Sequence, residues 1–294
     1  MEPRIRPIQS LKSCVMFKAK HSKRTVVDAD YKGYAKPTDY DVVYSENTIG
    51  YDAQTGQVAF ALVKQAVPED DARRIYPALM KGFNYVTDNR GAYSGMDRVK
   101  MGKQSRHPPV RSYTAGYFER QGGRIPCCRA TAFTRKETKA WSRQKLLLEH
   151  MASVMQMYAP MKYMTSIEYI KRIHPDYHVD KLPFTTTAVN LSVRAGYHRD
   201  KGDYKDGIGS IAVLMKGVCI NWKLVLPEYR VALDIGDRDI ILFDPHLLHA
   251  TTEGSGIGEM YKDWNRISVV GYIRERLVNC LSFEDELKRA KERK

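Results

Sequence analysis

Six short apolar segments crowd into about ninety residues in the second half of the chain: "FTTTAVNLSV" from Phe184, then "SIAVLMKG", "NWKLVLPEY", "RVALDIG", "DIILFD" and "RISVVGYIRE". Each is rich in Val, Ile and Leu, and each is bounded by Gly, Asp or Pro. That pattern predicts strands at short intervals, which close economically only as a β-sandwich or barrel. The first half reads differently. "PEDDARRIYPALMKGF" opens on Pro68 and three acids, as helix starts do, with Pro77 expected to kink or end it. "TRKETKAWSRQKLLLEHMASVMQMYAP" is the strongest helix, with Thr134 and Glu137 spaced as a capping box and Pro160 closing it. Its Met residues at helical spacing are read as core filler. "QVAFALVKQAV" reads as one or two short strands, and residues 86–133 as loops with short strands. The tail "SFEDELKRAKERK" is a helix capped by Ser282.

The expected fold is therefore α+β: a β core with flanking helices. The expected organisation is a loosely ordered basic lead-in over 1–30 and one domain over 31–294. Within it lie a helical and basic part (60–180), a β core (184–275) and a C-terminal helix (282–294). No apolar run approaches the ~20 residues of a membrane span, and the basic N-terminus has no apolar core of a secretory signal. Five cysteines, with Cys127 and Cys128 adjacent, suggest thiols rather than a disulfide framework. These features point to a reducing intracellular compartment, cytoplasmic in a bacterium or phage and nuclear in a eukaryote. No protein partner is inferable.

The formal charge is +14, and it is uneven: residues 89–145 hold 14 Lys and Arg against Asp97, Glu119 and Glu137. Tyr93, Tyr113, Tyr117, Phe118, Phe133 and Trp141 are interleaved with these bases. Clustered cations release phosphate counterions and aromatic faces stack on bases, so the stretch suggests nucleic-acid contact; the alternative is a solvated basic surface.

"AGYHRDKGDYKDG" places His198 and Asp200 two apart, just after a predicted strand. Residues i and i+2 of an extended chain share a face, so both can address one metal ion. A His–Asp pair on a surface turn is the competing reading. Downstream, "LDIGDRDIILFDPHLLHATTEG" offers His246 and His249 at a strand end. Two imidazoles and one carboxylate leave half a coordination sphere open, which suits non-haem Fe(II). His249 lies 49 residues beyond Asp200, and Arg266 follows 17 residues later in "NRISVV". Arg266 and Ser268 share a strand face and form a suitable clamp for a distal carboxylate.

The order His-x-Asp, distal His, Arg-x-Ser resembles the Fe(II)- and 2-oxoglutarate-dependent dioxygenases with a double-stranded β-helix (jelly-roll, cupin-like) core. More narrowly, "VNLSVRAGYHRDKGD", "LDIGDRDIILFDPHLLH", "RISVV" and "NRGAYSG" (89–95) resemble the TET/JBP group, which oxidises 5-methyl groups of pyrimidines in nucleic acid. The likeness covers about residues 83–275. Many relatives carry a Gly-Gly step where this chain has "KGVCINWKLVL".

The resemblance implies His198, Asp200 and His249 as ligands of Fe(II), with His249 preferred to His246 because it lies deeper after the strand end. It implies Arg266 with Ser268 as the 2-oxoglutarate anchor, O2 as co-substrate, and DNA as partner with the target base flipped into the pocket. The product would be 5-hydroxymethylcytosine from 5-methylcytosine, or 5-hydroxymethyluracil from thymine. The same core acting on a protein or small molecule, or a non-catalytic nucleic-acid binder, are the alternatives. Asn89 and Arg90 are candidate base or backbone contacts, with a structural turn equally open. Asn190 and Tyr197 are candidate pocket residues, against a strand hydrogen bond and a core position. Lys201 and Asp203 would shape the pocket mouth or lie in a solvated loop.

Overall fold

A computed structural model describes residues 16–86, 99–101, 104–106, 110–122, 125–256 and 264–292. Its central feature is a nine-stranded sheet. In spatial order the strands are Phe17–His21, Thr48–Asp52, Val58–Val63, Ile240–Phe243, Gly209–Lys216, Asn265–Tyr272, Thr186–Leu191, Ser112–Phe118 and Arg129–Ala130. All neighbours are antiparallel except the first pair. A four-stranded sheet faces it: Ala250–Thr251, Lys223–Leu226, Val231–Asp234 and Val42–Tyr44. The two sheets form the jelly-roll.

Period-two alternation decides what each face covers. Phe60, Leu62, Val213, Ile241 and Phe243 point inward and meet Leu224, Leu226, Val231 and Leu233 of the smaller sheet. Their neighbours Ala61, Val63, Ala212, Leu214, Ile240 and Leu242 point outward. There the helices Glu69–Gly82 and Thr138–Tyr158 cover them with Ile75, Leu79, Leu147, Leu148, Met151 and Met155. Central strands sandwiched on both faces are apolar throughout, which is why "AFALV" and "IILF" stood out as continuous runs. The methionines Met151 and Met155 are core filler, as expected.

Several expectations need correction. The sheet draws five strands from before residue 184, so the β core is not confined to the second half. One of them, Phe17–His21, lies in the segment expected to be loosely ordered. It carries two lysines and sits at the sheet edge, where charge discourages pairing with other chains, so it reads as polar coil. Pro77 neither ends nor divides its helix, which continues from Glu69 to Gly82. Pro77 and Arg73 lie on the exposed side, where water serves the carbonyl that lost its donor. Thr134 and Glu137 form no capping box. Thr131 caps a short helix, Ala132–Lys136, by accepting from the Thr134 N–H. Glu137 instead pairs with Lys81 and accepts from the Tyr85 hydroxyl. The long helix does end just before Pro160, at Tyr158, and Pro160 also starts a further helix, Pro160–Ile170. The C-terminal helix Phe283–Glu292 is capped by Ser282, which accepts from the Asp285 N–H. Cys128 and Cys280 form a disulfide across 152 residues, contrary to the expectation of free thiols; Cys127 and Cys219 are free. Among the described residues no helix is long and apolar enough to cross a membrane.

Candidate metal centre

Between the sheets lies a cavity of roughly 1440 Å³ whose walls include His198, Asp200, His249, Asn190, Arg266 and Ser268. The first three come from two segments, His198 and Asp200 on one and His249 on the other, laced by main-chain bonds. The His198 N–H donates to the His249 carbonyl and the His249 N–H to the His198 carbonyl, each at 3.0 Å. The Asp200 N–H donates to the Pro245 carbonyl at 3.0 Å. The imidazole planes end 4.2 Å apart, centre to centre. Asp200 Oδ1 lies 3.8 Å from His198 Nε2, and its Oδ2 lies 3.7 Å from His249 Nε2. One ligand atom from each residue falls within 4.8 Å of the other two, and this is the only such cluster among the described residues.

Both rings are oriented from behind. His198 Nδ1 donates to the Gly196 carbonyl at 2.7 Å, and His249 Nδ1 to the Leu247 carbonyl at 2.9 Å. A carbonyl accepts only from a protonated nitrogen, so each neutral ring turns a bare Nε2 toward Asp200. Phe243 meets the His249 ring edge-on at 4.9 Å. Burial, reinforced by His198, pushes the His249 pKa down to about 4, so the ring stays neutral and able to ligate. Two nitrogens and a carboxylate converging at one edge of an open cavity fit a divalent ion with free coordination positions. His246 is elsewhere: its Nδ1 lies 3.1 Å from Asp244 Oδ1, and it is outside the cluster.

Arg266 and Ser268 share the inward face of Asn265–Tyr272, while Ile267 and Val269 face the helices. Arg266 is 3% exposed. Its guanidinium lies over the Trp222 ring at 4.8 Å, and its Nε has no hydrogen-bond partner among the described residues. No carboxylate among them pairs with it, and burial pushes its pKa down to about 10. A buried, unpaired guanidinium facing a cavity is costly unless an anion meets it there. The residues therefore fit both a metal ion and the carboxylate of a keto acid.

Trp222 escaped the sequence reading. It lies in "KGVCINWKLVL", the segment that departs from the family pattern, and Gly254 admits its indole: a Cβ there would sit 2.0 Å from Trp222 Nε1. The pair Glu119–Arg274 also escaped it. These residues, 155 apart in sequence, meet on the cavity wall, with Arg274 Nη2 donating to Glu119 Oε1 at 2.6 Å. Nothing in local spacing signals either.

Asn190 stands opposite Ser268 across the strands, and its Oδ1 accepts from the Ser112 hydroxyl at 2.7 Å. Tyr197 borders the cavity but its hydroxyl donates to Asp39 at 2.7 Å, and its ring meets Tyr31 edge-on. Lys201 and Asp203 line the same cavity. Asn89 and Arg90 lie outside the described residues.

Comparison with known proteins agrees with this geometry. Residues 113–275, more than half the chain, match the Tet_JBP family, the oxygenase domain of the 2OGFeDO superfamily. Thymine dioxygenase JBP1 of Trypanosoma brucei brucei is 34% identical over 187 residues, which are 61% of this chain and 21% of that protein. Thymine dioxygenase JBP1-A of Trypanosoma cruzi is 31% identical over 185 residues, 60% of this chain and 21% of the relative. The chain thus spans about a fifth of the length of these curated relatives. Among solved structures, NgTET1 in complex with 5mC DNA superposes with a TM-score of 0.58 at 12% identity, covering 95% of this chain and 91% of that one. That likeness establishes the jelly-roll fold. The chain belongs to the Tet_JBP family of oxygenase domains.

Proposed function

We propose that this protein is an Fe(II)- and 2-oxoglutarate-dependent dioxygenase that hydroxylates the 5-methyl group of a pyrimidine in DNA. The observation that carries the reading is Arg266, buried without a counter-ion in the cavity that also holds the His198–Asp200–His249 cluster. A protein that merely bound nucleic acid, or held a structural metal, would have no use for that arginine.

On this reading His198, Asp200 and His249 hold Fe(II), and Arg266 with Ser268 seats the distal carboxylate of 2-oxoglutarate. Bound together with O2, these supply an oxidant that converts a methyl to a hydroxymethyl while 2-oxoglutarate becomes succinate and CO2. The protein's part is position and exclusion of water. The Nδ1 bonds of His198 and His249 fix the ring planes. Ala188 and Val270 furnish apolar wall to the cavity, and Phe243 does so beside His249. Asn190 lines the same cavity and would contact the base. Tyr197, with its hydroxyl held by Asp39, contributes its ring; Asn89 and Arg90 are assigned to base or backbone contact.

DNA is supported as partner by the net charge of +14 and by Arg129, Arg135 and Arg276. These three line the cavity with no ion pair among the described residues. The methyl of a stacked base cannot reach a metal buried between sheets, so the nucleotide is extruded from the duplex. Relatives named thymine dioxygenases support thymine as first substrate. A DNA substrate also places the protein inside the cell, in the nucleus if eukaryotic.

The test is mass spectrometry of nucleosides from unmethylated and methylated DNA after incubation with Fe(II) and 2-oxoglutarate. The expected product is 5-hydroxymethyluracil. 5-Hydroxymethylcytosine instead would move the substrate to 5-methylcytosine. Neither product above an Asp200→Ala control, with succinate formed on a peptide, would overturn the DNA reading.

A further inference from the structure

We infer that Glu228, acting through Arg199 and the main chain of Leu248, is the positioning residue that locks the two metal-ligand segments together, with Asp28 as an outer brace. This rests on the metal-site reading above.

His198 and Asp200 stand on one segment and His249 on another, about fifty residues away in sequence. Arg199 separates the first two ligands, so its side chain points away from the metal. There it meets Glu228, on the turn between Lys223–Leu226 and Val231–Asp234. Arg199 Nη1 donates to Glu228 Oε1 at 2.8 Å, and the Leu248 N–H donates to Glu228 Oε2 at 3.0 Å. One carboxylate therefore grips the residue between two ligands and the residue preceding the third. Arg199 Nη1 also donates to the His246 carbonyl at 2.7 Å, a second tie between the same segments. The far side of the guanidinium forks onto Asp28, with Nη2 to Oδ1 at 2.8 Å and Nε to Oδ2 at 3.1 Å.

Glu228 is 4% exposed. A carboxylate so deeply placed is retained only where its bonds are satisfied, and both of its oxygens are spent on ligand-bearing segments. A pair serving packing alone would have no reason to end beside ligands on both sides. The geometry matches what a metal site requires behind its ligands: charged, directional supports that hold them before the ion arrives. Asp28 is largely exposed, so its share is smaller.

The measurement is the Mn(II) dissociation constant of the chelator-treated full chain, read from electron paramagnetic resonance of the free aquo ion, with melting temperature in parallel. Glu228→Gln preserves shape but sets an amide N–H₂ against Arg199 or Leu248. It is expected to weaken Mn(II) binding about 10–100-fold. Asp28→Asn is expected to weaken it by no more than about threefold. Tyr229→Phe, on the same turn, removes only a hydrogen bond to Asp52 and is expected to leave the affinity unchanged. A Glu228→Gln affinity within about twofold of wild type overturns the inference, as does an equal loss in Tyr229→Phe. Should Glu228→Gln fail to fold, Arg199→Lys keeps the charge but loses the fork and is expected to cost about tenfold; wild-type affinity there overturns the inference. No substrate enters this assay. A chain showing the expected metal pattern but hydroxylating no DNA would sink the substrate reading alone. A wild type whose Mn(II) binding is indifferent to His249→Ala would sink both.

Discussion

Replacing Arg266 by Met should make the protein more stable and less able to bind its co-substrate at once. Burial lowers the Arg266 pKa from its ordinary value to about 10. At 1.36 kcal/mol per unit, the charged form is disfavoured in the folded state by about 3 kcal/mol. The depressed value means the penalty is fully present at neutral pH and is relieved only as pH rises above about 10 toward the ordinary arginine range. Met fills similar space without the charge. It forgoes the stacking of the guanidinium on Trp222, worth about 1 kcal/mol. The net gain is about 2 kcal/mol, or roughly 3 °C in melting temperature for a chain of this size. Affinity moves the opposite way. Truncating one side of a buried charge pair costs about 2–5 kcal/mol, so 2-oxoglutarate should bind at least about 30-fold more weakly. Differential scanning calorimetry with Mn(II), with and without 2-oxoglutarate, separates the two effects. Ligand at about 100 times its dissociation constant adds roughly 2.7 kcal/mol to the wild type, and the variant should lose most of that shift. A variant less stable than wild type in the absence of ligand, or one that keeps the full ligand shift, would refute the assignment of Arg266 as an anion seat.

Asp200→Ala should abolish hydroxymethyl product while fluorescence anisotropy shows DNA affinity within about twofold of wild type, because the carboxylate faces the metal position and the phosphate contacts lie elsewhere. Retained oxidation would break the metal assignment. His249 remains neutral in the fold down to about pH 4, whereas an unfolded chain takes up a proton below 6.5. Stability of the metal-free protein should therefore fall as pH drops from 6.5 toward 4, and His249→Gln should flatten that slope in denaturant titrations; an unchanged slope would contradict its burial. Arg129→Gln, Arg135→Gln and Arg276→Gln should each reduce the slope of log affinity for DNA against log salt by about one. A slope indifferent to all three would move the DNA-binding face away from the cavity mouth.

What could be read from the sequence was what repeats at short range. His198 with Asp200 and Arg266 with Ser268 are two residues apart on extended chain, and period two alone puts each pair on one face. The apolar runs over Val58–Val63 and Ile240–Phe243 announced strands buried on both sides. Between His246 and His249, which follow the same strand, depth after the strand end already favours His249. It is His249 whose main chain bonds across to His198, while His246 lies outside the cluster. Edge strands were opaque because their job is to look polar, as Phe17–His21 does with its lysines. Thr131 and Thr134 are equally good caps by composition, and tertiary context chose the earlier one. Cys128 finds Cys280 across 152 residues, a distance no spacing rule covers.

The supports of the site were invisible for the same reason, and they sharpen the case for Arg266. Six arginines line this cavity, and two of the more enclosed ones are matched by carboxylates. Arg199 is matched by Glu228 and Asp28, and Arg274 by Glu119. In each case the carboxylate arrives from a segment remote in sequence, so the fold readily supplies a counter-charge where one is wanted. Arg266 is the only buried one of the six, and it receives none among the described residues. Burying a cation that way is an expense the fold avoided twice nearby. Chance packing would have no reason to place the exception on the same strand face as a hydroxyl, in the same cavity as two bare imidazole nitrogens. An anion that arrives with the reaction does.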